Sequence, residues 1–272
     1  MIALFVLKLS AGIACMWWLM PRREVTDGFF RIQMRVVLGL SVLAALLLSS
    51  GTTWNDAVAE QQPAADISVP AVAWSAREAA DRLRILAMAG AVVSYFGTVF
   101  WALGRRLPGN ICIHLLAAFG LLSLILHAAS VPSPAPVALR LLATLSTAGV
   151  LGSVLTGMLL GHWYLTTPTM SIRPLYWFNK SMVVSAILRC AASVWTLTTT
   201  ALPTGDVTQE IWLGIRWLGG IAAPLAAAYM VWQILKHRNT QSATGVLFAA
   251  LILVFMGEMA AALLEGSTLM PW

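Results

Sequence analysis

The chain has 272 residues, 59% of them hydrophobic and only 10% charged, where a water-soluble domain carries roughly a quarter charged residues. Together with a mean hydropathy of +0.81, this excludes an ordinary soluble enzyme and points to an integral membrane protein. The net charge of +6 does not indicate nucleic acid as a partner, because the basic residues sit in short segments between apolar runs, where membrane proteins use them for orientation.

The opening run MIALFVLKLSAGIACMWWLM carries Arg22 and Arg23 after its apolar stretch. That is the reverse of a cleavable signal, so it reads as a retained first helix. A span needs ~20 apolar residues to cross ~30 Å of hydrocarbon. Segments 2–20, 33–50, 84–104, 111–130, 139–163, 177–201, 211–235 and 243–264 satisfy this. The expected fold is an all-α polytopic transmembrane bundle of about eight spans, forming one integral membrane domain over residues 1–272. Lipid demands that each backbone group be satisfied within its helix.

Between the second and third spans lies the largest loop, 51–83. In it WNDAVAEQQPAADISVP reads as irregular, and SAREAADRLR as a short surface helix feeding the third span. Gly149, Gly152, Ser153 and Gly157 make a small-residue face on the fifth span, suited to close helix packing. Pro224 interrupts the seventh span without a counterpart in the other half, which disfavours a transporter built from paired broken helices. Cys15, Cys112 and Cys190 are scattered in apolar runs, with no CxxC and no Cys/His cluster. No disulfide, haem c, iron–sulfur or other metal site is expected.

Alternating the loops between two sides gives a sharp charge asymmetry. One side gathers Arg22, Arg23, Arg31, Arg35, Arg105, Arg106, Arg173, Lys180, Lys236 and Arg238 against Glu24 and Asp27. The other holds Asp56, Glu60, Asp66, Glu78, Asp81, Asp206, Glu210 and Glu265, with Arg77, Arg82, Arg84 and Arg140. The positive-inside rule then puts both termini outside, as in a multi-pass protein of a bacterial inner membrane.

Ionisable side chains inside spans are costly and suggest function. Helical rise places Arg189 ~18 Å, Glu258 ~23 Å and His127 ~24 Å from the inner edges of their spans. Arg216 lies early in the seventh span. Arg189, Arg216, Glu258 and His127 are therefore expected to converge in the outer half, either around a quinone head group or as a structural ion pair. Lys8 reads as an anchor that snorkels outward. Haem b is the alternative cofactor, with His114, His127 or His162 as ligands. Against it, His114 and His127 point ~140° apart on one helix at ~100° per residue, and the inner-half pair His114 and His162 differs in depth by ~10 Å.

The stretch GHWYLTTPTMSIRPLYWFNK reads mostly as membrane trim. Trp163, Tyr164, Tyr176 and Trp177 form aromatic belts, Arg173 and Lys180 follow the charge rule, and Pro168 and Pro174 stop one helix and start the next. His162, with Tyr164 and Asn179 nearby, remains as a candidate inner-face binding or docking site.

The last helix, ATGVLFAALILVFMGEMAAALLEGSTLMPW, and the preceding IRWLGGIAAPLAAAYMVWQILK resemble the final helices of eight-helix membrane anchors of the polysulfide reductase/NrfD/dimethyl-sulfoxide-reductase type. The likeness covers about 60 residues and rests on Gly-Glu in the last helix and an early arginine in the one before. The arginine that often follows Gly-Glu in those anchors is absent, Met259 and Ala260 standing there instead. The resemblance implies a quinol- or quinone-binding subunit of a respiratory electron-transfer complex that exchanges electrons with iron–sulfur or haem partner subunits. In it Glu258 or His127 would accept the proton, and Arg189 or Arg216 would hold the head group. A haem b subunit, and a structural assembly subunit or transporter, are the competing classes.

Overall fold

The computed structural model describes residues 1–49, 76–131, 133–167, 169–199 and 206–272. Within them the chain forms α1 (Ile2–Leu19), α2 (Asp27–Ser49), α3 (Ala76–Ala102), α4 (Arg106–Ser130), α5 (Val137–Tyr164), α6 (Arg173–Thr199), α7 (Val207–Lys236) and α8 (Thr240–Thr268). All eight are long and apolar enough to cross a membrane, and no strand occurs among the described residues. The protein is an all-α polytopic bundle. Its helices extend a few residues beyond the expected apolar spans into charged flanks, because helix formation continues while a cap or a proline does not stop it. Asp206 caps α7 by accepting from the Thr208 N–H at 2.9 Å, and Asn239 caps α8 through Ser242 N–H at 3.0 Å.

The segment SAREAADRLR is not a separate surface helix from Ala76 onward. It is the first turns of α3, one continuous helix into the span. The irregular stretch expected upstream, and Pro168, lie outside the described residues.

The helices close into two antiparallel four-helix bundles. In the first, α1 packs on α2, α2 on α3, α3 on α4 and α4 back on α1; in the second, α5, α6, α7 and α8 close the same ring. The bundles join along α1 and α5. These two helices are therefore central: 67% of the most apolar window of α5 is buried, against 28% for α3, which faces lipid.

Glycine makes this seam possible. A methyl group on Gly12 would collide with the Ala148 carbonyl, and one on Gly152 with the Gly12 backbone. The small-residue face read on α5 is thus used: Gly152 meets α1, Gly149 meets Ser185 of α6, and Gly157 meets Phe178 of α6 and Leu247 of α8.

The arginine-rich face is stitched around the α1–α2 connection. Asp27 pairs with Arg106 at 2.9 Å, Glu24 accepts from Arg173 at 3.2 Å and from Ser171 at 3.0 Å, and Arg22 donates to Asn110 at 3.2 Å. The only acids on that face thereby tie down the α3–α4 and α5–α6 connections.

The aromatic-belt reading of residues 161–180 needs correction. Tyr164 is buried, and its hydroxyl donates to the Ser171 carbonyl. Trp163 donates to Thr26 at 2.8 Å and packs edge-on to Phe29. Asn179 is buried and donates to the Ala228 carbonyl of α7 at 3.0 Å. These side chains clamp neighbouring elements together because the second bundle folds over them.

Gly152→Leu is expected to break the α1–α5 seam, since the added side chain meets backbone that cannot step aside. Overpacking of this kind costs about 1–3 kcal/mol or more. The check is the thermal midpoint of the detergent-solubilised protein, which falls for Gly152→Leu and stays near the parent value for Gly39→Leu, where a methyl group meets open space.

Candidate functional site

Glu258 of α8 sits on the axis of the second bundle, and every helix of that bundle reaches it. Arg216 of α7 donates through Nη1 to Glu258 Oε1 at 3.0 Å. Arg189 of α6 spans the carboxylate, with Nε 3.4 Å from Oε1 and Nη2 3.3 Å from Oε2. Thr147 of α5 donates to Oε2 at 3.1 Å. Arg216 reaches Ser193 of α6 at 3.4 Å with its other terminal nitrogen. Arg216 is 0%, Arg189 2% and Glu258 4% exposed, so the charges are enclosed by protein rather than snorkelled to water.

Local backbone chemistry makes room for these side chains. Across Leu218–Ala222 the helix α7 opens into a π turn, ahead of Pro224 in the first turn of the α-helix that resumes at Ala223. A proline has no N–H to give and its ring crowds the preceding turn, so the backbone rearranges there. Gly220 in that turn borders the Arg216 guanidinium, and any side chain on it would strike Nη1. Gly257 and Gly219 let α8 and the π turn meet backbone to backbone: a methyl group on Gly219 would lie 2.7 Å from the Leu253 carbonyl oxygen. Gly257 immediately precedes Glu258, so the close approach aims the carboxylate at the arginines.

The centre is capped from the face that carries both termini. Leu269 adopts a left-handed conformation with φ 57° and turns the chain back on itself. The Pro271 carbonyl then accepts from Thr196 at 2.7 Å, and a backbone oxygen of Trp272 accepts from Arg189 Nη2. The Trp272 indole is buried and donates to Thr268 at 2.8 Å.

The structure thus brings together Arg189, Arg216 and Glu258 as the spacing predicts. His127 is buried but belongs to a neighbouring polar group: with Arg140, Thr144, Glu265 and Pro271 it lines a cavity of ≈ 10 Å³. His114 and His162 are exposed, and His114 Nδ1 lies 2.6 Å from the Asn110 carbonyl of its own helix. Lys8 does not simply snorkel; it pairs with Glu265 at 3.9 Å. Among the described residues there is no group of three or more His, Cys, Asp or Glu that would hold a metal, and Cys15, Cys112 and Cys190 are free.

Sequence reasoning missed Thr147, Ser193, the glycine contact and the returning tail. Ser193 carried a signal, standing one helical turn from Arg189 on the same face. The Gly219–Gly220 pair before Pro224 carried another.

Two guanidiniums and one carboxylate can do two things in hydrocarbon. They can lock helices, since breaking a buried pair costs about 3–5 kcal/mol. They can also offer a base and fixed donors to a polar guest. Arg189→Ala and Glu258→Ala are each expected to destabilise by about that amount. The double variant should lose less than the sum, with a coupling of about 0.5–3 kcal/mol in a double-mutant cycle read by denaturant unfolding in detergent.

No protein-family model, curated protein or solved structure matches the chain.

Proposed function

We propose that this chain is a multi-pass subunit of a bacterial inner-membrane respiratory complex. It binds quinol or quinone within the second helix bundle and exchanges electrons with a partner redox subunit. One observation carries the reading: beside Glu258, Arg189 Nη1 and Arg216 Nε are buried without a hydrogen-bond partner. A buried donor left unmade costs about 1–3 kcal/mol, and an oxygen-bearing head group would satisfy both. The same head group would place a hydroquinone O–H against a carboxylate able to take its proton. The chemistry of the set fits such a guest, since guanidiniums fix carbonyl oxygens and Glu258 serves as base. The resemblance of α7 and α8 to quinol-oxidising anchors points the same way. His127 lines the neighbouring cavity with Arg140 and Glu265, and the exposed His114 and His162 lie outside the enclosure that a haem b requires.

A second reading has its own support. Both Glu258 oxygens are engaged by Arg216, Arg189 and Thr147, and a backbone oxygen of Trp272 closes over Arg189. On this reading the centre is a structural lock in an assembly subunit, and the returning tail is its lid.

Glu258→Gln separates the two. It keeps the shape and a hydrogen-bonding oxygen but removes the base. The quinol reading expects quinol oxidation by the assembled complex to fall about 100-fold or more, within the usual range for losing a general base. It also expects quinone in the lipid extract of the purified protein. Normal turnover per assembled complex, with poorer assembly, sustains the lock reading instead.

A further inference from the structure

We propose that a polar seam between α1, α4, α5 and α8 is a hydrated proton path joining Glu258 to the face that carries the termini. It rests on the quinol reading for the origin of the proton. The path itself rests on separate geometry.

Two helices present matched polar stripes. On α5, Arg140, Thr144 and Thr147 recur at four- and three-residue spacing, which keeps them on one face. On α8, Glu258 and Glu265 are seven residues apart, again on one face. The helices are antiparallel neighbours, and both stripes climb ~10.5 Å toward the terminal face. At the deep end the Thr147 hydroxyl donates to Glu258 Oε2 at 3.1 Å. Higher up, the ≈ 10 Å³ cavity is bordered by His127, Ser133, Arg140, Thr144 and Glu265. That is about the space one water needs, and the lining supplies the polar partners a buried water requires. At the mouth Glu265 is partly exposed and pairs with Lys8 of α1. Glu265 and Arg140 share the cavity wall with His127, and Lys8 and the Met1 ammonium are charged groups near it. A stripe of this kind on the lipid side would be costly. Here it lies in the seam between bundles, where lipid does not reach.

The transfer balances. A hydroquinone O–H bond breaks, its proton goes to Glu258, and its electrons go to the partner redox centre. Glu258 passes a proton to the Thr147 hydroxyl, which turns from its donation to Oε2 and releases its own to the hydroxyl of Thr144, the next residue of the stripe. Thr144 borders the cavity and gives its proton to the water. The water hands one on to Glu265 at the mouth, and Glu258 returns to the carboxylate. His127 holds the water in place.

The test uses silver ion, small enough to follow a water path, on thiols placed in the seam of the full chain in membranes. Cys15, Cys112 and Cys190 are first replaced by alanine. Thr144→Cys and Ser133→Cys are the reporters, both small-for-small changes, and Leu145→Cys, exposed on the lipid side, is the control. Silver protection from later alkylation after denaturation is expected to be about tenfold faster for the reporters than for the control, since only a polar cavity holds water. Equal rates for reporters and control overturn the path. In the second arm, Glu265→Gln and His127→Asn are expected to lower quinol turnover about fivefold or more with KM for quinol unchanged, at the low end of proton-transfer effects. Unchanged turnover in both overturns the proton role even where silver enters. Failure of the quinol reading shows differently: Glu258→Gln keeps its turnover, while the silver rates still report the path.

Discussion

A carboxylate in hydrocarbon is tolerable only when its charge is met at contact distance, and that constraint organises half of this protein. Transferring an isolated ion from water to a medium of low dielectric costs far more than a domain's net stability. Glu258 therefore fixes where Arg189 and Arg216 must be, and through them where α6 and α7 must lie against α8. Thr147 extends the requirement to α5. Four helices that lipid would otherwise let slide share one register. The glycines are a consequence. Gly219, Gly220 and Gly257 bring α7 and α8 within reach of one another at the level of the charges, and the π turn redirects α7 so that Arg216 points inward.

The first bundle answers the same architectural problem without charge. Its interior holds a cavity of ≈ 30 Å³ lined by all four of its helices, with Ala, Leu and Gly and a few serines facing in. Ser10 and Ser123 bond to carbonyls of their own helices, while Trp17 Nε1, Gln33 Oε1, Ser94 Oγ and Trp101 Nε1 are buried in the same bundle without a hydrogen-bond partner. Apolar packing fills the space among α1 to α4, and Glu24, Asp27 and the Arg22–Asn110 bond tie their ends. The division of labour is physical. One bundle is apolar filler and scaffold, and the other is built around a charged core that only fits one arrangement.

The crossings were legible because hydropathy and charge alternation are summed over many residues, and a single misplaced helix would spoil the alternation. The convergence of Arg189, Arg216 and Glu258 was legible too, because helical rise converts sequence position into depth. Azimuth is harder. His127 has the right depth, yet it faces the seam toward Arg140 and Glu265 rather than Glu258, and depth says nothing of direction. The aromatic stretch 161–180 misled for a related reason. Trp and Tyr at a span end fit a lipid belt, but the α5–α6 connection folds inward here, so Tyr164 and Trp163 find Ser171 and Thr26 instead of headgroups. The tail beyond Thr268 left no pattern to read, since a left-handed turn at a leucine is a choice made by tertiary contacts.

That turn bears on the charge balance. Two guanidiniums share the one side-chain carboxylate of Glu258, and hydrocarbon offers them no further acceptor. Leu269 accepts a left-handed backbone that costs a non-glycine residue roughly 1–2 kcal/mol. In return the chain brings backbone oxygens of Pro271 and Trp272 down onto Thr196 and Arg189. Backbone oxygens aimed at a guanidinium are the same device that closes cation sites at helix ends. The tail thus answers one nitrogen of Arg189 and leaves Arg189 Nη1 and Arg216 Nε as buried donors that no acceptor among the described residues meets.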